Sequence, residues 1–287
     1  MKTPAVSSAA FLLLALPALA APAQRIVTLG GDVTEIVYAL GQENRLVCDD
    51  ETSLYPPAAT KLPRVGYLRT LAAEGVLSCK PDLIIASEDA GPPAAVTQLE
   101  NSGVRFVRVG NAHTPDAVPV KIAAVADALG VPDRGRALQA RFRSGMQRAQ
   151  AQLAKFKDRP RAIFLMAQGP GGTMAAGRGS AADAMLTLAG AVNVAGGFEG
   201  YKALTAESAV ALKPDVIIVA DHAVQMLGGM AALRARPEIV LTPAGKNGRL
   251  VAMDALLLLG FGPRTPEALT ELAAALHRPA PLKQAAK

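Results

Sequence analysis

The chain has 287 residues, of which 51% are hydrophobic, with 30 Lys and Arg against 24 Asp and Glu. That composition excludes an intrinsically disordered chain, and the length is sufficient for two domains of ordinary size. The basic residues are interspersed and nowhere form a run of five, which excludes a nucleic-acid-binding footprint, while a net charge of +6 is compatible with a small anionic ligand.

Lys2, the apolar run from Ala9 to Leu19 and the triplet Ala18-Leu19-Ala20 have the pattern of a secretory signal peptide over 1–20, cleaved after Ala20 or Ala23. The run is shorter than the ~20 residues of a transmembrane helix. No cysteine at the cleavage site can carry a lipid. The expectation is an exported protein, soluble and monomeric in a Gram-negative periplasm, without membrane insertion.

Beyond this segment, short apolar runs alternate with helical patterns. Strands are predicted at 25–29, 45–48, 82–86 and 105–109, with helices at 32–40, 71–79 and 94–102 between them. Two helices follow, at 114–130 and 133–158, the second carrying Leu138, Phe142, Met146 and Leu153. Strands resume near 162–166, 216–220 and 250–253, and 273–287 reads as a helix end and a frayed tail. The expected fold is α/β: two lobes with parallel-type sheets, at 24–113 and 159–287, joined by a long helical spine at 114–158.

An internal match relates the lobes. Leu71-Ala72-Ala73-Glu74 followed by Lys80-Pro81-Asp82-Leu83 recurs as Leu204-Thr205-Ala206-Glu207 followed by Lys213-Pro214-Asp215-Val216, offset by 133 residues throughout (213 minus 80). Proline stops each helix before an apolar strand begins. Two such lobes place a ligand cleft between their strand ends. Cys48 and Cys79 fall at opposite edges of the predicted sheet, so two buried, inert thiols are expected rather than a bridge.

Arg25-Ile26-Val27-Thr28-Leu29, Thr34-Glu35-Ile36, Ala39-Leu40-Gly41 and the two Lys-Pro-Asp turns resemble the substrate-binding proteins of ABC importers for haem, cobalamin and ferric siderophores. Gly66-Tyr67-Leu68-Arg69-Thr70-Leu71, Met174-Ala175-Ala176-Gly177-Arg178 and Leu259-Gly260-Phe261-Gly262 are similar to the haem-binding branch. The resemblance covers essentially the whole mature chain. It implies that Tyr67 is the haem iron ligand, a hard anionic oxygen donor suited to ferric iron. Arg69 then supports the phenolate or a propionate. From position alone, Tyr67 is equally a loop residue packed on its neighbours.

From the second lobe, the resemblance offers Met166, Gln168 and Met174 against the far side of the iron or the porphyrin, and Arg178 for a propionate. No histidine lies in that stretch, which favours five-coordinate iron or a water in the sixth position. His113 and His222 follow strand ends and His277 lies in the tail; all three read as surface histidines. Glu74 and Glu207, at equivalent repeat positions, are implied to dock onto the two subunits of an inner-membrane ABC permease dimer; singly, each reads as a solvated helix-end carboxylate. An outer-membrane haem receptor is implied upstream.

Cobalamin or a ferric siderophore on the same fold is the alternative ligand. A haem-dependent enzyme is a third reading, disfavoured because no G-x-S-x-G, H-E-x-x-H or phosphate loop is present and no histidine is placed as a distal acid or base.

Overall fold

A computed structural model describes residues 22–168 and 172–278, so the expected signal peptide and the tail from 279 lie outside the described residues. The chain begins with β1 (Ile26–Leu29), α1 (Gly31–Ala39), β2 (Leu46–Asp49), α2 (Ala73–Ser78), β3 (Leu83–Ser87), α3 (Pro93–Glu100) and β4 (Arg105–Val109). The strands form an all-parallel sheet in the order β2-β1-β3-β4. Ile26, Leu83 and Ile85 face one apolar cluster, and Val27, Leu29, Ile84 and Ala86 face another. Burial on both faces is why these strands read as unbroken apolar runs rather than alternating ones.

The chain leaves β1 toward one edge and returns for β3 on the other side, and such a switch point opens a crevice at the strands' carboxyl ends. Gly30 lies there with φ 124°, and a Cβ on it would stand 2.9 Å from that of Ser87. Only glycine fits that corner.

Two long helices follow, α4 (Ala117–Leu129) and α5 (Pro132–Leu153). Left-handed Gly130 closes α4 and Pro132 opens α5. α5 buries Leu138, Phe142, Met146 and Ala149 along one stripe. It stops at Leu153, short of the expected 158, because the charged stretch Lys155 to Arg159 offers no apolar residue to the stripe except Phe156.

The second lobe runs β5 (Arg161–Gln168), β6 (Gly172–Ala176), α6 (Ala181–Leu188), β7 (Val192–Asn193), β8 (Tyr201–Ala203), α7 (Ala206–Leu212), β9 (Val216–Ala220), α8 (Asp221–Met226), α9 (Gly229–Ala235), α10 (Pro237–Val240), α11 (Pro243–Lys246), β10 (Leu250–Met253), α12 (Ala255–Leu259) and α13 (Thr265–Leu276). Its sheet order is β10-β9-β5-β6-β8, with β7 on the flank of β5. The β10-β9-β5 part is parallel, but β6 and β8 pair antiparallel. The expected two-lobed α/β architecture holds, with an antiparallel β6–β8 addition to the parallel part of this sheet. β5 reaches β6 through a short connection, and a short connection can only return a strand antiparallel.

One apolar cluster joins the lobes. It runs from Ile26, Val33 and Ile36 through Val118, Ile122 and Phe142 to Phe164, Ile217 and Phe261. At its edge Arg264, just before α13, pairs with Glu35 of α1 at 2.9 Å and lies over the Tyr55 ring at 3.4 Å. Among the described residues no helix is long and apolar enough to cross a membrane.

The repeat has a backbone form. Lys80 and Lys213 both adopt a left-handed conformation, and each is bracketed by an arginine from the following strand partner. Arg25 Nε donates to the Lys80 carbonyl at 2.8 Å and Arg161 Nε to the Lys213 carbonyl at 3.2 Å. Asp82 accepts from the Arg25 amide at 2.9 Å and Asp215 from the Arg161 amide at 3.0 Å.

Cys48 and Cys79 form a disulfide with a Cα separation of 6.4 Å, so the expectation of two free thiols is overturned. Cys48 is the third residue of β2, and Cys79 caps α2 and packs against the same apolar cluster as Cys48 and Val76, so the bridge joins helix to sheet face and does not span the sheet. α2 also starts two residues later than expected, because Leu71 is held to Gly91 by its backbone amide at 2.8 Å.

Candidate functional site

The segment leading to Tyr67 is an extension of the sheet edge. The Asp49 amide donates to the Pro63 carbonyl at 3.1 Å, the Val65 amide to the Asp49 carbonyl at 3.0 Å, and the Glu51 amide to the Gly66 carbonyl at 3.0 Å. Gly66, with φ 100°, breaks this ladder and turns the chain outward. Buried Leu68 and Leu71 then pin the loop, and the Gly91 amide donates to the Leu68 carbonyl at 2.9 Å. Tyr67 is left standing out of an anchored turn, 41% exposed.

Arg69 Nη1 donates to the Tyr67 hydroxyl at 3.2 Å, and Arg69 Nη2 pairs with Asp89 Oδ2 at 2.9 Å. Asp89 Oδ2 also accepts from Asn111 Nδ2 at 2.7 Å, and Asn111 Oδ1 accepts from Lys121 Nζ at 3.1 Å. Lys121 is buried, ion-paired with Asp32, and donates to the Phe261 carbonyl of the second lobe at 3.4 Å. Asp89 and Asn111 lie just past the carboxyl ends of β3 and β4, the positions from which parallel sheets present ligand-contacting groups.

Burial lowers the affinity of Arg69 for its proton, but the hydrogen bond to Tyr67 and the fields of Asp89, Tyr67 and Tyr201 outweigh it, and the net shift is upward. His113 is pushed down by burial, with Asp89 partly opposing. Its ring lies tilted on Phe261 at 5.5 Å, so it is a half-buried part of the cleft edge and not a surface histidine. Burial raises Tyr201, opposed by Arg69 and by a hydrogen bond with Ser180. Arg69 and Tyr201 come from opposite lobes, and each lies within the other's field.

On the second wall, Met166 and Met174 are direct cross-strand partners in the β5–β6 ladder, and both are half-buried. Tyr201 is opposite Ala176, which places its side chain on the Met174 face. Gln168 is paired with Gly172 at the end of the ladder. Arg178 is exposed, its amide donating to the Phe198 carbonyl at 2.8 Å, and it makes no ion pair among the described residues. Sequence reasoning pointed to Tyr67 and Arg69 but missed Asp89, Asn111 and Lys121, whose signal was their place just after apolar strands or in the spine.

Glu74 and Glu207 each occupy the second position of their helix, α2 and α7. Both are exposed, and neither carboxylate has a partner among the described residues. His222 is exposed beside Asp221. His277 is a structural residue: its side chain is buried, Nδ1 lies 2.8 Å from Asp158, and the ring stacks on Phe156 at 4.2 Å. Concavities of about 440 Å³ between α5 and α13 and about 400 Å³ beside His277 share no residue with the Tyr67 network.

The family described as "Periplasmic binding protein" matches residues 26–257. The chain belongs to that family. Among solved members of similar fold, the periplasmic haem-binding protein RhuT from Roseiflexus sp. RS-1, in its apo form, is 40% identical, covering 88% of this chain and 98% of its own with a TM-score of 0.85. The periplasmic haem-binding protein BhuT, in complex with two haems, is 43% identical, covering 88% and 97% with a TM-score of 0.83. The vitamin B12-binding protein of Vibrio cholerae serotype O1 is 30% identical over 88% of each chain. The family thus spans binders of haem and of B12.

Proposed function

We propose that this chain is the periplasmic carrier of a haem importer. It captures ferric haem in the cleft between lobes 24–113 and 159–287, which are linked by spine 114–158. The observation that carries this reading is the exposed Tyr67 hydroxyl with Arg69 Nη1 at 3.2 Å. A phenol that binds a ferric centre through its oxygen would release its proton to solvent, because the metal's charge and a cationic donor share the resulting anion, and Arg69 is that donor. Met166 and Met174 offer a soft wall to the porphyrin, with Gln168 further along the same strand as Met166, and Arg178, without an ion pair among the described residues, offers a cation to a propionate. Tyr67 is then the one strong protein ligand.

Delivery is to an inner-membrane ABC permease dimer, with Glu74 and Glu207 presenting one carboxylate to each half of a symmetric partner. An outer-membrane receptor supplies the haem. The carrier works as an exported monomer directed by the signal peptide at 1–20, and it performs no chemistry on its cargo. Identity supports haem over cobalamin, at 40% and 43% against 30%, as does a coordinating tyrosine on the cleft wall.

Titration of the purified apoprotein with ferric haem tests this. A tyrosinate-to-iron charge-transfer band is expected, and Tyr67→Ala is expected to lose more affinity than the ~10–100-fold typical of residues behind a metal ligand. Tight cobalamin binding with no such band would replace haem by the B12 reading.

A further inference from the structure

Arg69 is a long, half-exposed side chain, and a single hydrogen bond to a phenol does not hold such a side chain in one rotamer. An exposed ion pair with Asp89 alone adds little. Here the pair is the outer end of a chain that grows more buried at each step. Asp89 Oδ2 is shared between Arg69 Nη2 and Asn111 Nδ2, Asn111 Oδ1 takes Lys121 Nζ, and Lys121 is 1% exposed and paired with Asp32. Asn111 is an adaptor with a direction: its amide donates to an anion on one side while its carbonyl accepts from a cation on the other, and the flipped amide would oppose both. The rigid fork of the guanidinium does the rest, because fixing Nη2 on Asp89 aims Nη1 at the Tyr67 hydroxyl.

We infer that Asp89 and Asn111 are positioning residues that aim Arg69 at the iron-ligating tyrosine, with buried Lys121 as their anchor. The inference rests on the haem reading for its consequence but not for its geometry, and the two are tested apart.

In the apoprotein, NMR relaxation of the Arg69 Nε–H group is expected to report an ordered side chain, disordered in Asp89→Ala and in the isosteric Asn111→Asp. In Asn111→Asp the carboxylate repels Asp89 while keeping Lys121. An Arg69 as mobile in the wild type as in Asp89→Ala overturns the inference, whatever the ligand. With ferric haem bound, Arg69→Ala and Asp89→Ala are each expected to speed haem loss to a scavenger protein about tenfold. The double variant is expected to be no faster than Arg69→Ala alone, since Asp89 acts through Arg69. Multiplying effects overturn positioning, and an unchanged rate in Asp89→Ala does the same. A wild type without the tyrosinate band sinks the haem reading instead and leaves the NMR result to decide the positioning.

Discussion

Lys80 and Lys213 turn the backbone through the same left-handed corner, with φ of 51° and 47°. Each closes a short helix, and an arginine side chain caps each carbonyl. A residue with a Cβ pays about 1–2 kcal/mol for that conformation, of which glycine's greater freedom when unfolded recovers only part. Lys80→Gly and Lys213→Gly are therefore expected to stabilise by about 0.5–1 kcal/mol each, read as a rise in urea midpoint at unchanged slope. The arginine caps survive because they bind backbone carbonyls. Unequal responses would show that the two corners are not equivalent.

The repeat around these lysines was legible because Lys-Pro-Asp is local chemistry, and the first lobe's strands were legible because each is a bounded apolar run. The β6–β8 excursion was not, since its pairing is set by a short connection and not by a period in the sequence. The disulfide was missed for a different reason: the strand ends said where Cys48 and Cys79 fall along the sheet, but not that α2 lays Cys79 against the buried face that carries Cys48. At the site, Tyr67 and Arg69 share one short motif. Asp89, Asn111 and Lys121 come from three elements, and only the fold brings them to Arg69.

Asp49 is fully buried, and its carboxyl is raised to about 7, first by burial, with Arg64 opposing and Asp50 adding. Arg64 Nη1 lies 2.9 Å away but donates to the Asp50 carbonyl, and neither Asp49 oxygen receives a hydrogen bond among the described residues. The folded state holds this proton more tightly than the unfolded chain does. Its stabilising effect is complete below about pH 4 and is lost as pH rises through about 7. A decline of about 2–4 kcal/mol across that window is expected, and Asp49→Asn should flatten it. Denaturant unfolding at several pH values checks both.

Replacing the disulfide, as Cys48→Ser with Cys79→Ser, frees a loop whose ends are 31 residues apart. The expected loss is about 3–4 kcal/mol, chiefly from the unfolded chain's regained freedom. Chemical unfolding of the oxidised and substituted proteins measures it.

Asp32→Asn leaves the Lys121 ammonium buried without its counter-charge. A loss of about 3 kcal/mol is expected. Replacing both groups by apolar residues, as Asp32→Leu with Lys121→Met, should recover most of it, because two desolvated charges disappear together. Thermal unfolding of the single and double variants decides whether the pair or the packing carries the stability.

Cys48 and Cys79 close a ring, and Tyr67, Arg69 and Glu74 all lie inside it. A protease that cuts this exposed stretch once severs the peptide chain without separating its pieces. The nicked protein should migrate as one species until a thiol is added, so a cut in the segment that carries Tyr67 and Arg69 need not cost the rest of the molecule.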